Sequence, residues 1–193
     1  MTSNPASEGN PNLLSKLFRY RFLLLAILAV GLVFFLIPGM RTAPLLEPDE
    51  GRNAEVGREM LAGGDWITPH YNGYVYLDKP APFFWLVAAS FKLCGVSEWA
   101  ARLPSGLAAL ATLLLVCLLA RRMFGADEAF IAGLVTATTP LFLILSRQVI
   151  FDMTLSFLVT AALVCFWWDE DKPQRRRATD MLLFAAMGLA TIT

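Results

Sequence analysis

The apolar residues of this chain come in uninterrupted blocks of near-bilayer length, and that pattern limits the possible folds more than any other feature. Phe22–Met40 runs 19 residues without a charge, Leu103–Ala120 and Ala129–Ser146 run 18 each, and Val149–Trp168 runs 20 with one charge, Asp152. Met181–Thr193 is a further uncharged run. A helix rises about 1.5 Å per residue, so roughly 20 apolar residues cross ~30 Å of hydrocarbon. Only 17% of the residues are charged, against about a quarter in a typical soluble domain, and the mean hydropathy is +0.56. The pattern predicts an all-α integral membrane protein with about five transmembrane helices, at 22–40, 103–120, 129–146, 149–168 and, cut short, 181–193. The first block reads as an uncleaved signal anchor. It exceeds the ~7–15 apolar residues of a signal peptide, and Ile37-Pro38-Gly39-Met40 offers no small-x-small cleavage site.

Charge sets the orientation. Basic residues cluster at Lys16, Arg19 and Arg21, at Arg121 and Arg122, and at Lys172, Arg175, Arg176 and Arg177. The positive-inside rule assigns all three clusters to the cytoplasm. They fall there together only if the segment 81–97, interrupted by Lys92, lies along the interface instead of crossing. The expected map is then a cytoplasmic tail at 1–21, a periplasmic loop at 41–102, tight turns at 121–128 and 147–152, and an inner loop at 169–180. Arg41, Arg102 and Arg147 fit the rule poorly, since they sit near outer helix ends. Sixteen basic and sixteen acidic residues cancel, which excludes a nucleic-acid partner held by bulk charge. Three cysteines without a C-x-x-C pair and a single histidine argue against a disulfide framework or a Cys/His zinc site.

The outer loop is where chemistry gathers. Between Pro38 and Pro80 stand seven acids (Glu47, Asp49, Glu50, Glu55, Glu59, Asp65 and Asp78) and four basic residues (Arg41, Arg52, Arg58 and Lys79). Pro48 followed by Asp49 and Glu50 reads as a helix start, with carboxylates favoured by the macrodipole, and Gly63-Gly64 as its end, giving an amphipathic helix at 48–62. Trp66 to Gly73 is aromatic and turn-rich. Composition alone also fits a solvated helix N-terminus for Asp49-Glu50-Gly51-Arg52, a structural His70, and an Asp152 that snorkels beside Arg147. A carboxylate four residues into an apolar span is costly, by roughly 2.5–3.5 kcal/mol at mid-membrane, and less near the interface.

Several stretches carry a family resemblance. Glu47-Pro48-Asp49-Glu50-Gly51-Arg52-Asn53-Ala54-Glu55 is similar to the first-loop acidic motif of polytopic C-type glycosyltransferases, above all the dolichyl-phosphate-mannose-type and lipid A aminoarabinose transferases. Met60–Pro69 resembles the stretch that follows in that family. Asp78-Lys79-Pro80-Ala81-Pro82 resembles its D/E-K-P-P segment, with Ala81 replacing or shifting a proline. Ala100–Ser105, Arg121–Gly125 and Ser146–Asp152 match in order. The resemblance implies a bacterial inner-membrane, multi-pass enzyme with a cytoplasmic N-terminus. It would move a sugar from an undecaprenyl-phosphate donor to a lipid A or protein acceptor on the periplasmic face.

The resemblance also implies roles. Asp49 is the expected catalytic carboxylate, with Glu50 beside it and Asp152 supporting the site. Arg52 and Lys79 are expected to hold the donor phosphate, with Asp78, Arg147 and His70 as supporting residues. Asp78 stands where some aminoarabinose transferases place a metal ligand, so a divalent cation is the one cofactor left open, with its ligands unknown. Phe83, Phe84 and Trp85 are expected to form a lipid-contacting wall. Family members carry several hundred residues, so the chain is expected to be the front part of a larger enzyme and inactive alone. Two rival classes are a small transporter using an Arg147–Asp152 pair, which leaves the outer-loop motif unexplained, and a non-catalytic subunit of a split transferase, which would tolerate loss of Asp49 or Lys79.

Overall fold

The computed structural model describes residues 44–46, 48–168 and 177–193. The expected tail, the first apolar block and the segment 169–176 lie outside the described residues. The described part is helical apart from one small hairpin.

The first helix, α1 (Asp49–Gly63), begins after Pro48 with Asp49 and Glu50 in its first turn, as the macrodipole favours. It stops at Gly64, whose φ of 71° is left-handed and whose N–H returns to the Met60 carbonyl at 3.1 Å. A two-stranded antiparallel hairpin follows, β1 (His70–Tyr71) and β2 (Tyr74–Val75). Its turn is Asn72-Gly73, with φ of 53° and 78°. Positive φ at both central residues is what a type I′ hairpin requires, and Asn-Gly supplies it. The Glu59 carboxylate accepts the Gly73 N–H at 3.1 Å and ties the turn back to α1.

Helix α2 (Ala81–Cys94) is too short, at 14 residues, to cross a bilayer upright. It packs on α1 through Phe83, Phe84, Val87, Ala88 and Phe91, all buried. The expectation that Phe83 and Phe84 face lipid is therefore corrected: they are 1% and 0% exposed. Three consecutive helical residues fan over about 200° and cannot share one face. The stripe at 83, 84, 87, 88 and 91 turns toward α1, and Trp85 is left on the outside, 41% exposed. Edge-on aromatic contacts extend this core from Tyr76 through Phe84 and Phe83 to Phe151.

Helix α3 (Glu98–Met123) is the one described helix long and apolar enough to cross a membrane. It runs beyond the expected 103–120 at both ends, with Glu98 in its first turn and Arg121 and Arg122 in its last, where the dipole favours each charge. Pro104 lies inside it and cannot donate to the Ala100 carbonyl four residues back. The Ser90 hydroxyl of α2 donates to that carbonyl instead, at 2.5 Å, and joins the two helices. The block 129–146 is not one helix. It divides into α4 (Ala126–Thr138) and α5 (Pro140–Leu145), because Pro140 forces Thr139 into an extended conformation. Helices α6 (Asp152–Trp168) and α7 (Arg177–Thr191) complete the described chain, with α6 packed between α3 and α7.

One buried ion pair joins α1 to α3. Arg102 meets Glu50 through two hydrogen bonds of 3.0 Å each, with both side chains 3% exposed. The same carboxylate accepts the backbone N–H groups of Leu46 at 2.8 Å and Val149 at 2.9 Å. Burial pushes the Glu50 pKa up, but the hydrogen bonds from Arg102, Leu46 and Val149 outweigh it and hold it below the ordinary glutamate value.

Two stability predictions follow from these contacts. A Cβ at Gly57 would lie 2.6 Å from Val87 Cγ1. Gly57→Ala gains about 1 kcal/mol of helix propensity but meets an overpacking cost of about 1–3 kcal/mol against a stiff β-branched side chain. The clash wins: thermal melts should show Gly57→Ala destabilised, and Val87→Ala added to it should recover part of the loss. Glu50→Gln leaves Arg102 buried without its counter-charge and should cost about 3–5 kcal/mol at neutral pH. Because the folded pKa is depressed, this stabilisation is present above the unfolded value of about 4.5 and lost as pH falls through the folded one. Melting curves of wild type and Glu50→Gln should therefore converge in acid; a constant gap down to pH 3 contradicts the assignment.

Candidate active site

Asp152 opens α6, and the residues ahead of it, 146–151, form an irregular turn after α5. That turn is laid against the start of α1. The Asn53 side-chain amide donates to the Val149 carbonyl at 2.8 Å, the Glu50 carboxylate accepts the Val149 N–H, and the Ser105 hydroxyl donates to the Ile150 carbonyl at 3.2 Å. Asp152 is thereby brought beside residues about a hundred positions earlier in the chain.

The result is a cavity of about 570 Å³ between the first turn of α1, the approach to α2 and the turn before α6. Asp49, Glu50, Arg52, Asp78, Lys79 and Asp152 all line it, together with Asn53, Gln148 and Phe151. Arg147 and His70 are not among its lining residues. Arg147 lies just before Gln148, and His70 belongs to the hairpin. Six of the eight expected site residues are thus gathered in one place from three separate segments.

Their surroundings differ in ways that matter for chemistry. Arg52 contacts Asp49 at 2.5 Å in an exposed pair one turn apart, with the Asp49 side chain 62% exposed. An exposed pair of this kind contributes about 0–1 kcal/mol and yields easily to a better partner. The Arg52 guanidinium also sits 5.9 Å from the centroid of the Tyr76 ring, and its Nε has no hydrogen-bond partner among the described residues. Lys79 Nζ rests 4.8 Å from the centroid of the Phe151 ring, which orients the ammonium without neutralising it. The Tyr76 hydroxyl donates to the Asp78 carboxylate at 3.1 Å. Burial, helped by that hydrogen bond, raises the Tyr76 pKa, so the phenol keeps its proton.

Glu50 differs from the other carboxylates. Each of its oxygens accepts both an Arg102 N–H and a backbone N–H, which leaves little capacity for a substrate. Asp49 and Asp152 are exposed on the cavity. Among the described residues no group of three or more His, Cys, Asp or Glu side chains is arranged to hold a metal ion. Asp78 is shared with Tyr76.

Asn53, Tyr76, Arg102, Ser105, Gln148 and Phe151 had not been singled out in the sequence. Arg102 left one trace, as an arginine at an outer helix end that the charge rule could not place. Tyr76 and Phe151 sit beside the charged positions 78–79 and 152, but an aromatic in an apolar or turn-rich stretch carries no signal of its own.

Comparison with known proteins shows the family. The family model for dolichyl-phosphate-mannose-protein mannosyltransferase matches residues 78–193. The undecaprenyl phosphate-alpha-4-amino-4-deoxy-L-arabinose arabinosyl transferase of Aeromonas salmonicida is 33% identical over 84% of this chain and 30% of its own length. The enzyme of the same description from Edwardsiella ictaluri is 36% identical over 86% of this chain and 31% of its own. The crystal structure of ArnT from Cupriavidus metallidurans bound to undecaprenyl phosphate superposes with a TM-score of 0.82 at 32% identity, covering 87% of this chain and 32% of that one. The apo form of that protein gives a TM-score of 0.79. The chain thus spans about 30% of the length of the curated relatives it matches. On the match over residues 78–193, it belongs to the dolichyl-phosphate-mannose-protein mannosyltransferase family.

Proposed function

We propose that this chain supplies the donor-phosphate side of a membrane glycosyltransferase site. The enzyme takes a sugar from an undecaprenyl-phosphate carrier and passes it to a lipid A-type glycolipid on the periplasmic face of the bacterial inner membrane. One observation carries the reading: Asp49 and Asp152 share a single cavity with Arg52 and Lys79. The names of the relatives, aminoarabinose transferases using undecaprenyl phosphate, support the choice of carrier and sugar.

The reaction breaks the bond between the anomeric carbon and the phosphate oxygen. Positive charge builds on the sugar and negative charge on the departing phosphate. Lys79 and Arg52 meet the phosphate, with Arg52 offering a bidentate fork once it releases Asp49. Asp49 and Asp152 face the developing positive charge. With a hydroxyl acceptor, Asp49 removes its proton; with a lipid A phosphate acceptor, already ionised near pH 7, no base is needed and Asp49 acts by charge and orientation. Glu50 stands outside the reacting group and holds the site together. The helices described, with the apolar block 22–40 ahead of them, make about five spans, the N-terminus cytoplasmic and the cavity periplasmic.

In proteoliposomes of the protein as the cell makes it, Lys79→Ala should lower transfer from undecaprenyl phosphate-linked 4-amino-4-deoxy-L-arabinose to lipid A by about 10²–10³-fold. Asp49→Asn should lower it by about 10² or more, both with normal expression and folding. Wild-type rates in Lys79→Ala, read by mass spectrometry of lipid A, reject the site. Topology has its own check. A cysteine at Gly73 should react with an impermeant thiol reagent from the periplasm and one at Gln174 only after the cytoplasm is opened; labelling of both from one side overturns the map.

A further inference from the structure

The two exposed carboxylates of the cavity stand on different helices, and their separation depends on how the turn 146–151 is held. The N–H groups of Ser146, Arg147 and Gln148 return to carbonyls at the end of α5, and Val149 is the first residue to leave that pattern. Both polar groups of the Val149 backbone are taken instead by side chains of α1: its N–H by Glu50 at 2.9 Å and its carbonyl by Asn53 at 2.8 Å. Val149 is fully buried, as is nearly all of Asn53 at 2% exposure. Asn53 follows Arg52 directly and stands one helical turn beyond Asp49. The helix that presents the cation and the carboxylate thus also grips the chain three residues before Asp152.

The amide of Asn53 is unusual in another respect. Its Nδ2 must face Val149, because a carbonyl can only accept. Its Oδ1 is then left buried without a hydrogen-bond partner among the described residues. A position serving packing alone would be better filled by an apolar side chain of similar volume, since a half-satisfied buried amide is unfavourable. Unsatisfied polar groups of this sort collect where geometry serves function.

We propose that Asn53 is a positioning residue for glycosyl transfer: by holding the Val149 carbonyl it sets where Asp152 stands relative to Asp49 and Arg52. The proposal rests on the glycosyltransferase reading above and adds to it a residue whose side-chain amide donates to the Val149 backbone. Ser105, through Ile150, is the second tie on the same turn.

The experiment uses the protein as the cell makes it, in proteoliposomes, with undecaprenyl phosphate-linked 4-amino-4-deoxy-L-arabinose and lipid A, and with activity normalised to folded protein. Asn53→Ala removes the tie, and Asn53→Asp keeps the volume while setting a carboxylate against the carbonyl. Both should lower kcat about 10–100-fold, the scale of a misplaced reacting group. Affinity for undecaprenyl phosphate should change less than about twofold, because Arg52 and Lys79 are untouched. Ser90→Ala, which weakens the α2–α3 contact away from the cavity, serves as the structural comparator: its melting temperature should fall while kcat is retained. If the Asn53 variants do not fold, Ser105→Ala decides, with an expected fall in kcat of about threefold or more at unchanged affinity. The proposal is overturned if Asn53→Ala, or Ser105→Ala in its place, behaves like Ser90→Ala, or if kcat and affinity fall together. A wild-type protein without transfer activity overturns this proposal together with the glycosyltransferase reading, whereas an active wild type with Ser90-like variants removes the positioning role alone.

Discussion

Arg102 and Glu50 are both almost fully buried, and a buried ion pair is not by itself a source of stability. Moving two charges out of water is expensive, and their attraction offsets that only with good geometry and every remaining lone pair satisfied. Here the geometry is bidentate, and the carboxylate accepts two backbone N–H groups in addition. Those two groups belong to Leu46, ahead of α1, and Val149, ahead of α6, while Arg102 stands on α3 and also donates to the Pro44 carbonyl at 2.8 Å. A single carboxylate therefore fixes the entry to α1, the side of α3 and the approach to α6. An apolar replacement could pack α1 on α3, but it could not hold two separate backbone segments at defined angles.

The neighbouring position has the opposite task. Asp49 and Glu50 are adjacent, and adjacent helical residues point about 100° apart. With Glu50 turned into the protein, Asp49 is turned out into the cavity, and Arg52, three residues on, comes to the same side. The division of labour between two acidic residues thus comes from helix geometry and the location of Arg102. Their side chains alone do not separate an acid buried on an arginine from one left open to the cavity, so the sequence groups them together.

Much of the fold was legible for ordinary physical reasons. The start of α1 after Pro48, its stop at Gly64 and the shortness of α2 all follow from local signals: a dipole-compatible first turn, a left-handed glycine and a run too short for a bilayer. What escaped is mostly long-range. The break at Thr139–Pro140 was written in the sequence, but the apolar count across 129–146 concealed it. Asn72-Gly73 is a strong hairpin signal that a turn-rich reading of residues 66–73 does not resolve. Phe83 and Phe84 read as lipid-facing from sequence because apolar residues on a short helix can face either way. Their direction depends on α1, which offers Gly57 as the point of closest approach. Arg102 looked like an exception to a charge rule. It is a cation that never reaches the aqueous face, so the rule did not apply to it.

The cavity's two cations are held in different ways, and the difference bears on how an anionic group would enter. Lys79 is held by the face of Phe151, an interaction that points its ammonium without cancelling the charge. Arg52 is occupied by Asp49, but in an exposed i,i+3 pair of little net worth. The donor's phosphodiester carries one negative charge, as a carboxylate does, but it offers a bidentate edge and gains a second charge as the glycosyl bond breaks, so it can take the guanidinium from Asp49 at small cost. That exchange would release the Asp49 carboxylate at the moment the anion arrives. Asp152 stands apart from that pair, opening α6 and exposed on the same cavity. An acid freed by the incoming phosphate and a second acid at the start of α6 would leave both cations to the phosphate and two carboxylates to the sugar. A glycosyl–phosphate bond breaking between them would find each of its developing charges already opposed.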